Sequence, residues 1–178
     1  EGFSRAPWTL DVSLPGHSKP LPLRLYPPPR SSAGKEDVLI LIVPPAQGSL
    51  GSIDRNAREL AARGFWVLSY GTPAADFPTV MSDGKRQWPP LGISLRHALS
   101  SLSHPATRRA GRLREDLAEL RIESSLAVYE WIASQTRSSW PAIADGPVDF
   151  APVRLAIMGF GEGAEAAYAL VDRYGRPW

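Results

Sequence analysis

A short, uniformly apolar segment places the strongest constraint on how this chain can fold. Residues 38 to 43 read Val-Leu-Ile-Leu-Ile-Val, with no polar position, which is typical of a parallel strand buried on both faces. A glycine-bearing loop over residues 44–51 follows, and apolar side chains then share one stripe between Ile53 and Ala61, as in an amphipathic helix. The next strand is predicted over the largely apolar residues Phe65 to Tyr70. A strand–helix–strand unit of this kind favours a parallel sheet.

The rest of the chain predicts further elements of the same fold class. We expect two N-terminal strands in a hairpin, an irregular excursion over the sheet edge from Gly71 to Arg112, a long helix, a strand and a last helix. In order, the predicted elements are Trp8–Leu14, Leu21–Tyr26, a short helix Leu91–Leu102, Leu113–Arg137, Val153–Met158 and Ala164–Tyr174. The whole of residues 1–178 fits a single α/β domain, with a mostly parallel sheet and helices on both faces.

Composition excludes several classes of protein and site. The chain has no cysteine, which excludes a disulfide framework, a cysteine nucleophile and thiolate metal sites. Its 20 basic and 18 acidic residues give a net charge of +2, so charge gives no reason to expect a nucleic-acid partner. No His, Asp or Glu pair has metal-ligand spacing, and we expect neither a metal nor another cofactor. The longest apolar run, Val38 to Ala46, is far shorter than the roughly 20 residues that span a bilayer.

The most informative motif lies near the end of the chain. The predicted strand ending at Met158 is followed by Gly159-Phe160-Gly161-Glu162-Gly163 and then by an alanine-rich helix. Strand, Gly-x-x-x-Gly turn and helix form the frame of a nucleophile elbow. The outer glycines have a steric reason, since the strand and helix backbones approach closely there while the central residue takes a strained conformation.

On these residues the chain resembles the α/β-hydrolase family, and within it the dienelactone hydrolase, platelet-activating-factor acetylhydrolase and polyester-hydrolase-like branch. Other parts of the chain match in order. They are the hairpin ending in Leu25-Tyr26-Pro27-Pro28, the strand Val38–Val43 with its loop, the stretch Asn56–Leu68, and the long helix before the turn. The resemblance implies the N-terminal half of such a domain, incomplete at its C-terminal side.

Two departures from the family bear on catalysis. The family's nucleophile falls on Gly161, and glycine has no side chain that could attack a carbonyl. The family's acid and histidine come from loops after later strands, which have no counterpart before Trp178. Pro44-Pro45-Ala46-Gln47 replaces the family's usual His-Gly. The resemblance places the backbone amides of Gln47 and Glu162 at the oxyanion-hole positions, without a nucleophile beside them.

Other residues near the predicted pocket have simpler interpretations. Ser49 is more readily a helix N-cap or loop hydroxyl than a replacement nucleophile. Glu162 fits a first-turn acid stabilised by the helix dipole. The histidines His17, His97 and His104 fit surface or packing roles.

Two functions therefore stay open at the level of sequence. The chain is either a non-catalytic α/β-hydrolase relative that acts by binding or assembly, or a carboxylic-ester hydrolase seen as a truncated or processed chain with its serine replaced by Gly161.

We expect Val153–Met158 to form an apolar sheet edge, paired by a second chain or by a copy of itself. A small apolar ester-like compound is the expected ligand class. The chain begins at Glu1 without an initiator Met, which is compatible with loss of an N-terminal segment during export. The sequence does not identify the cellular compartment.

Overall fold

A computed structural model describes residues 7–17, 19–29, 38–45, 50–72, 79–88, 91–92, 94–95, 98, 108–135 and 154–175. The elements within these ranges follow the predicted order. The strands are β1 (Trp8–Val12), β2 (Leu21–Tyr26), β3 (Val38–Val43), β4 (Trp66–Tyr70), β5 (Thr79–Val80), β6 (Arg86–Gln87) and β7 (Arg154–Gly159). The helices are α1 (Leu50–Ala62), α2 (Arg108–Ser134) and α3 (Gly163–Tyr174). None of the described helices is long and apolar enough to cross a membrane.

Five strands form one sheet in the order β1-β2-β4-β3-β7. The predicted hairpin is confirmed, because β1 pairs with β2 in antiparallel register from Trp8↔Leu25 to Val12↔Leu21. β2 also runs antiparallel to β4, whereas β3 runs parallel to both β4 and β7. The α/β class is confirmed, and the sheet is mixed: its parallel part consists of β4, β3 and β7, and the hairpin extends it with two strands of alternating direction.

Helices cover both faces of the sheet, which explains the uniform apolarity of β3. Successive side chains of a strand point to opposite faces, so Leu39 and Leu41 enter one core while Ile40 and Ile42 enter the other. The first core lies under α2 and α3, which contribute Val128, Tyr129, Ile132, Ala166 and Leu170. The second lies under α1, which contributes Ile53, Ala57 and Ala61.

The stretch from Gly71 to Arg112 contains a strand pair that its sequence did not predict. β5 and β6 form a second, two-stranded sheet, with Thr79 opposite Gln87 and Val80 opposite Arg86. The described residues between 91 and 98 are helical, in agreement with the predicted short helix. The interpretation of this stretch as an excursion from a single domain stays a prediction.

The tip of the β5–β6 hairpin binds the outer strand β1. Ser82 donates hydrogen bonds to the Asp11 carboxylate from its backbone nitrogen, at 3.1 Å, and from its Oγ, at 2.5 Å. Asp11 is the fourth of the five residues of β1, so this contact joins the two sheets at one edge of the larger sheet. The same hairpin tip turns through Gly84, whose φ is 80°.

β7 forms the opposite edge, as the sequence predicted, and pairs only with β3 among the described strands. Leu155 and Ile157 pack on the core beneath α2 and α3, and Met158 packs on the core beneath α1. Ala156 is exposed, and the other three are only partly buried. The first residue of the predicted strand, Val153, lies outside the described residues.

Candidate functional site

The connection from β7 to α3 is a tight turn built on three glycines. Gly163 donates a backbone hydrogen bond to Phe160 at 2.9 Å, and Ala164 donates one to Gly161 at 3.0 Å. The chain therefore reverses from strand to helix within Phe160, Gly161 and Glu162. The predicted sharp turn is present, and its glycines serve different purposes.

The outer two glycines are required by space. A Cβ atom on Gly159 would lie 2.6 Å from the Cα of Ala164, and one on Gly163 would lie 2.7 Å from the carbonyl oxygen of Val43 and closer still to that of Pro44. These neighbours are backbone atoms that cannot rotate away. Gly159 and Gly163 thus allow α3 to begin directly against the end of β3, as the sequence predicted for an elbow frame.

The central glycine is required by backbone conformation instead. Gly161 is exposed and has a φ of 55°, in the left-handed region. Among the described residues, a Cβ at this position meets only the Cβ of Pro45, at an ordinary contact distance of 3.7 Å. Against those residues the penalty of a side chain is the left-handed conformation itself, about 1–2 kcal/mol for a residue other than glycine.

Glu162 follows at the N-cap position of α3, with an exposed side chain. Its φ of −64° and ψ of −18° are helical, and its carboxylate makes no capping hydrogen bond. Glu165 supplies the acidic residue of the first helical turn, the dipole-stabilised position that the sequence assigned to Glu162. The Glu162 carboxylate therefore stands at the surface of the turn beside Gly161.

The other half of the predicted oxyanion hole is not described. Gln47 and Ser49 both lie outside the described residues, and their proposed places beside the turn stay predictions. Pro44 and Pro45, which precede them, lie against the turn through the contacts given above. Neither proline has a backbone N–H, so neither can donate a hydrogen bond to a developing oxyanion.

His17 binds a residue that sequence reasoning missed. Its Nε2 lies 3.2 Å from the Oγ of Ser124 in α2, and its Nδ1 lies 3.2 Å from the carbonyl oxygen of Pro15. A histidine between a hydroxyl and an orienting acceptor has the connectivity of a nucleophile–base pair. The two residues are 107 positions apart, and no local pattern links them. His97 and His104 lie outside the described residues.

The environment of Ser124 favours a structural role for this pair. Ser124 is only 4% exposed, and its hydroxyl donates to the carbonyl of Leu120 at 2.9 Å, one helical turn earlier. The serine oxygen therefore lies against the α2 backbone, and a substrate has little access to it. His17 ties the β1–β2 turn to α2, in agreement with the packing role predicted for it.

A partly buried charged network joins β2 to α1. Asp54 accepts hydrogen bonds from the Tyr26 hydroxyl at 3.0 Å and from the Arg58 Nε at 2.6 Å, and Arg24 lies 3.8 Å away. Burial by itself opposes ionisation of Asp54, but the hydrogen bonds and the two guanidinium charges outweigh it and lower the pKa of the carboxyl. Burial, followed by the charge of Asp54, raises the pKa of Tyr26. The network fixes α1, the helix that follows the Pro44–Pro45 segment.

The described residues contain no cluster of three or more His, Cys, Asp or Glu that could hold a metal ion. The chemistry available around the turn is thus that of a left-handed glycine, one exposed carboxylate and backbone amides.

Comparison with known proteins identifies the fold. XC6422 from Xanthomonas campestris, a member of the α/β serine hydrolases without a lid, matches with a TM-score of 0.53 and 14% identity over 96% of this chain and 58% of its own. TT1662 from Thermus thermophilus matches with a TM-score of 0.50 and 19% identity over 97% and 54%. The chain thus has an α/β-hydrolase-type fold, and it spans little more than half the length of either protein. No protein-family profile matches the sequence, and no curated protein sequence matches it.

Proposed function

We propose that this chain is a non-catalytic α/β-hydrolase-like protein that acts by binding or assembly through the open edge of β7. The observation that carries the proposal is Gly161. It occupies the turn between β7 and α3, where the hydrolases that the chain resembles carry their nucleophile, and it offers no side chain to attack a carbonyl. Among the described hydroxyls, Ser124 comes nearest to a replacement, and its burial beneath the surface of α2 argues against that role.

The assembly surface is β7 itself. Natural sheet edges usually carry charge, proline or a bulge that blocks pairing, whereas Leu155, Ala156, Ile157 and Met158 form an uncharged run that is only partly buried. The solved structures of this fold continue for a length that this chain does not cover. A second chain that carries further strands, or a second copy of this one, would pair with β7 and cover its apolar side chains.

Size-exclusion chromatography with light scattering tests this proposal. We expect the chain to elute as a complex or a self-associated species, and Ala156→Lys to reduce the associated fraction at least tenfold by placing a charge on the exposed face of the edge strand. Ser13→Lys is the matched control, because it adds the same charge at an exposed position just after β1, on the opposite edge. A stable monomer of 19.4 kDa with a cooperative melt would contradict the proposal.

A second candidate is a carboxylic-ester hydrolase in altered form, in which Gly161 stands where a serine acts. Two observations favour it: the φ of 55° at Gly161, and the ordinary 3.7 Å distance from its hypothetical Cβ to Pro45, the nearest atom among the described residues. The turn could therefore hold a serine side chain, with the backbone amides of Glu162 and Gln47 as the oxyanion donors and a small apolar ester as the substrate. The family's acid and histidine have no matched positions within residues 1–178.

Fluorophosphonate labelling and p-nitrophenyl ester hydrolysis distinguish the two candidates. We expect no labelling of the chain and no turnover above buffer. Gly161→Ser should also stay inactive, since His17, the histidine among the described residues, contacts Ser124 in α2 rather than the turn, and Gly161→Ala controls for the shared backbone strain. Turnover by Gly161→Ser but not by Gly161→Ala would favour the hydrolase. Labelling of the unmodified chain at Ser49 would mean that the active site lies at that residue instead.

A further inference from the structure

Two buried hydrogen-bond donors lie side by side on the face of the sheet that α1 covers. Arg24 of β2 and Ser69 of β4 are direct partners in the antiparallel register, so their Cβ atoms lie about 4.5–5.5 Å apart on that face. The Arg24 Nε and the Ser69 Oγ are both buried, and neither has a hydrogen-bond partner in the part of the chain that the structure describes. Buried donors without a partner are uncommon in folded proteins, so each one calls for an explanation.

The polar groups nearest to these donors are already engaged. Asp54 accepts one hydrogen bond from Tyr26 and one from Arg58, on different oxygens. Arg24 reaches Asp54 only at 3.8 Å, which is too long for a hydrogen bond. Burial raises the pKa of the Tyr26 hydroxyl, whereas Ser69 and Arg24 oppose that rise because both lie near its oxygen. Arg24 and Ser69 therefore converge on one point, beside a carboxylate whose two oxygens bind other groups.

The cluster carries an excess of positive charge and extends inward from the surface. Its two guanidinium groups, Arg24 and Arg58, pair with one carboxylate, Asp54, which leaves one positive charge uncompensated among these groups. The exposed fraction of the side chain falls from 41% at Arg58 to 27% at Asp54 and 23% at Arg24, and Ser69 is fully buried. Ser69 lies near the carboxyl end of β4, which runs parallel to β3. Ligands of open α/β sheets bind at the carboxyl ends of the strands.

We propose that this cluster binds the carboxylate group of a small monoanionic ligand. Arg24 donates from Nε and one terminal nitrogen to the two carboxylate oxygens, in the planar paired geometry that a guanidinium group offers. Ser69 donates its hydroxyl to one of the same oxygens. A single negative charge matches the positive charge left over in the cluster, whereas the second charge of a phosphate dianion would face Asp54 without compensation. This inference depends on neither β7 nor Gly161, so it stands or fails independently of the proposed assembly.

Titration of the isotope-labelled chain with acetate at constant ionic strength tests the proposal by NMR. We expect a saturable shift of the Arg24 Nε–Hε signal, and weaker binding of inorganic phosphate than of acetate. For variants, the backbone amides of β2 and β4 report binding. Arg24→Lys should raise the dissociation constant for acetate at least about tenfold, because it keeps the charge and removes the paired donors. Ser69→Ala should raise it about fivefold, through the loss of one hydrogen bond to a charged group.

Matched controls separate binding from a structural role. Arg55→Gln removes an exposed cation on α1 and should leave acetate binding unchanged. In the absence of acetate, Ser69→Ala should melt at the same temperature as the unmodified chain or higher, because it removes a buried hydroxyl that has no partner. A lower melting temperature would mean that the hydroxyl is bonded within the protein, and it would overturn the proposal. An Arg24 signal that acetate and chloride shift equally, or tighter binding of phosphate than of acetate, would overturn it as well.

Discussion

The two edge strands of the main sheet differ in their charge and in the contacts they make. β1 ends the sheet on the hairpin side, and its Asp11 carboxylate holds Ser82 of the β5–β6 hairpin. β7 ends the sheet on the other side, with exposed Ala156 in its middle and no neighbour beyond it among the described strands. A charged residue and a second hairpin therefore lie at one edge, while the other carries the uncharged run from Leu155 to Met158 after a single exposed cation, Arg154.

Among the described residues, a second hairpin contacts the β1 edge and no further strand lies beyond β7. An edge strand exposes unpaired backbone groups, and a protein must block them or use them. At β1 the sequence supplies the block, whereas at β7 it supplies apolar side chains and a close elbow turn. The following predictions test how firmly each edge is held, from the largest expected effect to the smallest.

Gly163→Ala should be the most damaging substitution at the β7 edge. The new Cβ would collide with backbone carbonyl oxygens of Val43 and Pro44, and α3 must move away from β3 to accept it. We expect a loss of about 2–4 kcal/mol in the free energy of unfolding, measured by urea denaturation.

Hydrogen exchange shows where that loss falls. Protection should decrease in β7 and α3 and stay unchanged in the β1–β2 hairpin. Gly84→Ala on the β1 side is the control, since Gly84 has a φ of 80° but no atom of the described residues within 4 Å of its hypothetical Cβ. It should cost only about 1–2 kcal/mol, from backbone strain alone. Equal losses for the two variants would show that the elbow is not tightly packed.

Asp54→Asn should weaken the attachment of α1 to the hairpin side of the sheet. The change removes the charge that attracts Arg58 and Arg24, and it leaves one acceptor oxygen where the Tyr26 hydroxyl and the Arg58 Nε each bond to an oxygen of their own. We expect a loss of about 1–2 kcal/mol at neutral pH, measured by urea denaturation. Arg55→Gln is the control on the same helix, because its pair with Glu59 is exposed.

The same loss should depend on pH with a definite sign. Since the folded-state pKa of Asp54 is lowered, its stabilisation is fully present above the unfolded pKa of about 4 and disappears as the pH falls through the folded value. The difference between the unmodified chain and Asp54→Asn should therefore shrink on acidification below about pH 4. A difference that stays constant to the lowest pH would mean that ionised Asp54 gains nothing from its partners.

Asp11→Ala should loosen the β1 edge by a smaller amount. It removes the acceptor for the backbone and side-chain donors of Ser82, both at an exposed site, so we expect a loss of about 0.5–1.5 kcal/mol. Faster exchange of the Ser82 amide is the direct readout, and Ser82→Ala should reproduce only part of the effect. If Ser82 exchanges at the same rate in both proteins, the hairpin is held by other contacts.

Lys85→Gln should have the smallest effect, although it breaks an ion pair in the same hairpin. Both Lys85 and Asp83 are largely exposed, and exposed pairs rarely contribute measurable stability. We expect an unchanged urea midpoint. A clear loss would show that the ion pair, rather than Asp11, secures the hairpin tip.

Sequence periodicity was sufficient to predict most of the fold. Strands β1 to β4, the first helix and the final strand–turn–helix follow from patterns that depend on neighbouring residues, and all are confirmed. The β5–β6 hairpin was missed, because each strand has only two residues and proline interrupts the stretch on both sides. So short a pattern carries no usable period.

The site was predictable where its determinants are local. The two sterically required glycines and the central left-handed one were expected from the Gly-x-Gly-x-Gly spacing. The His17–Ser124 contact and the network around Asp54 were not, since each joins residues that are distant in sequence and that meet only when the sheet and helices pack. Gln47 and Ser49 remain predictions from resemblance.

The order of the strands also bears on how the chain folds during synthesis. β1 finds its partner within twenty residues of sequence, whereas β3 pairs with β7 across more than a hundred, from Val38 to Arg154. Local contacts form fast and distant ones slowly, and a chain emerges from the ribosome from its N-terminus. β3, which is uncharged throughout, therefore remains unpaired on one side until β7 has been synthesised. We expect this interval, rather than the finished protein, to be when the chain most needs protection from aggregation.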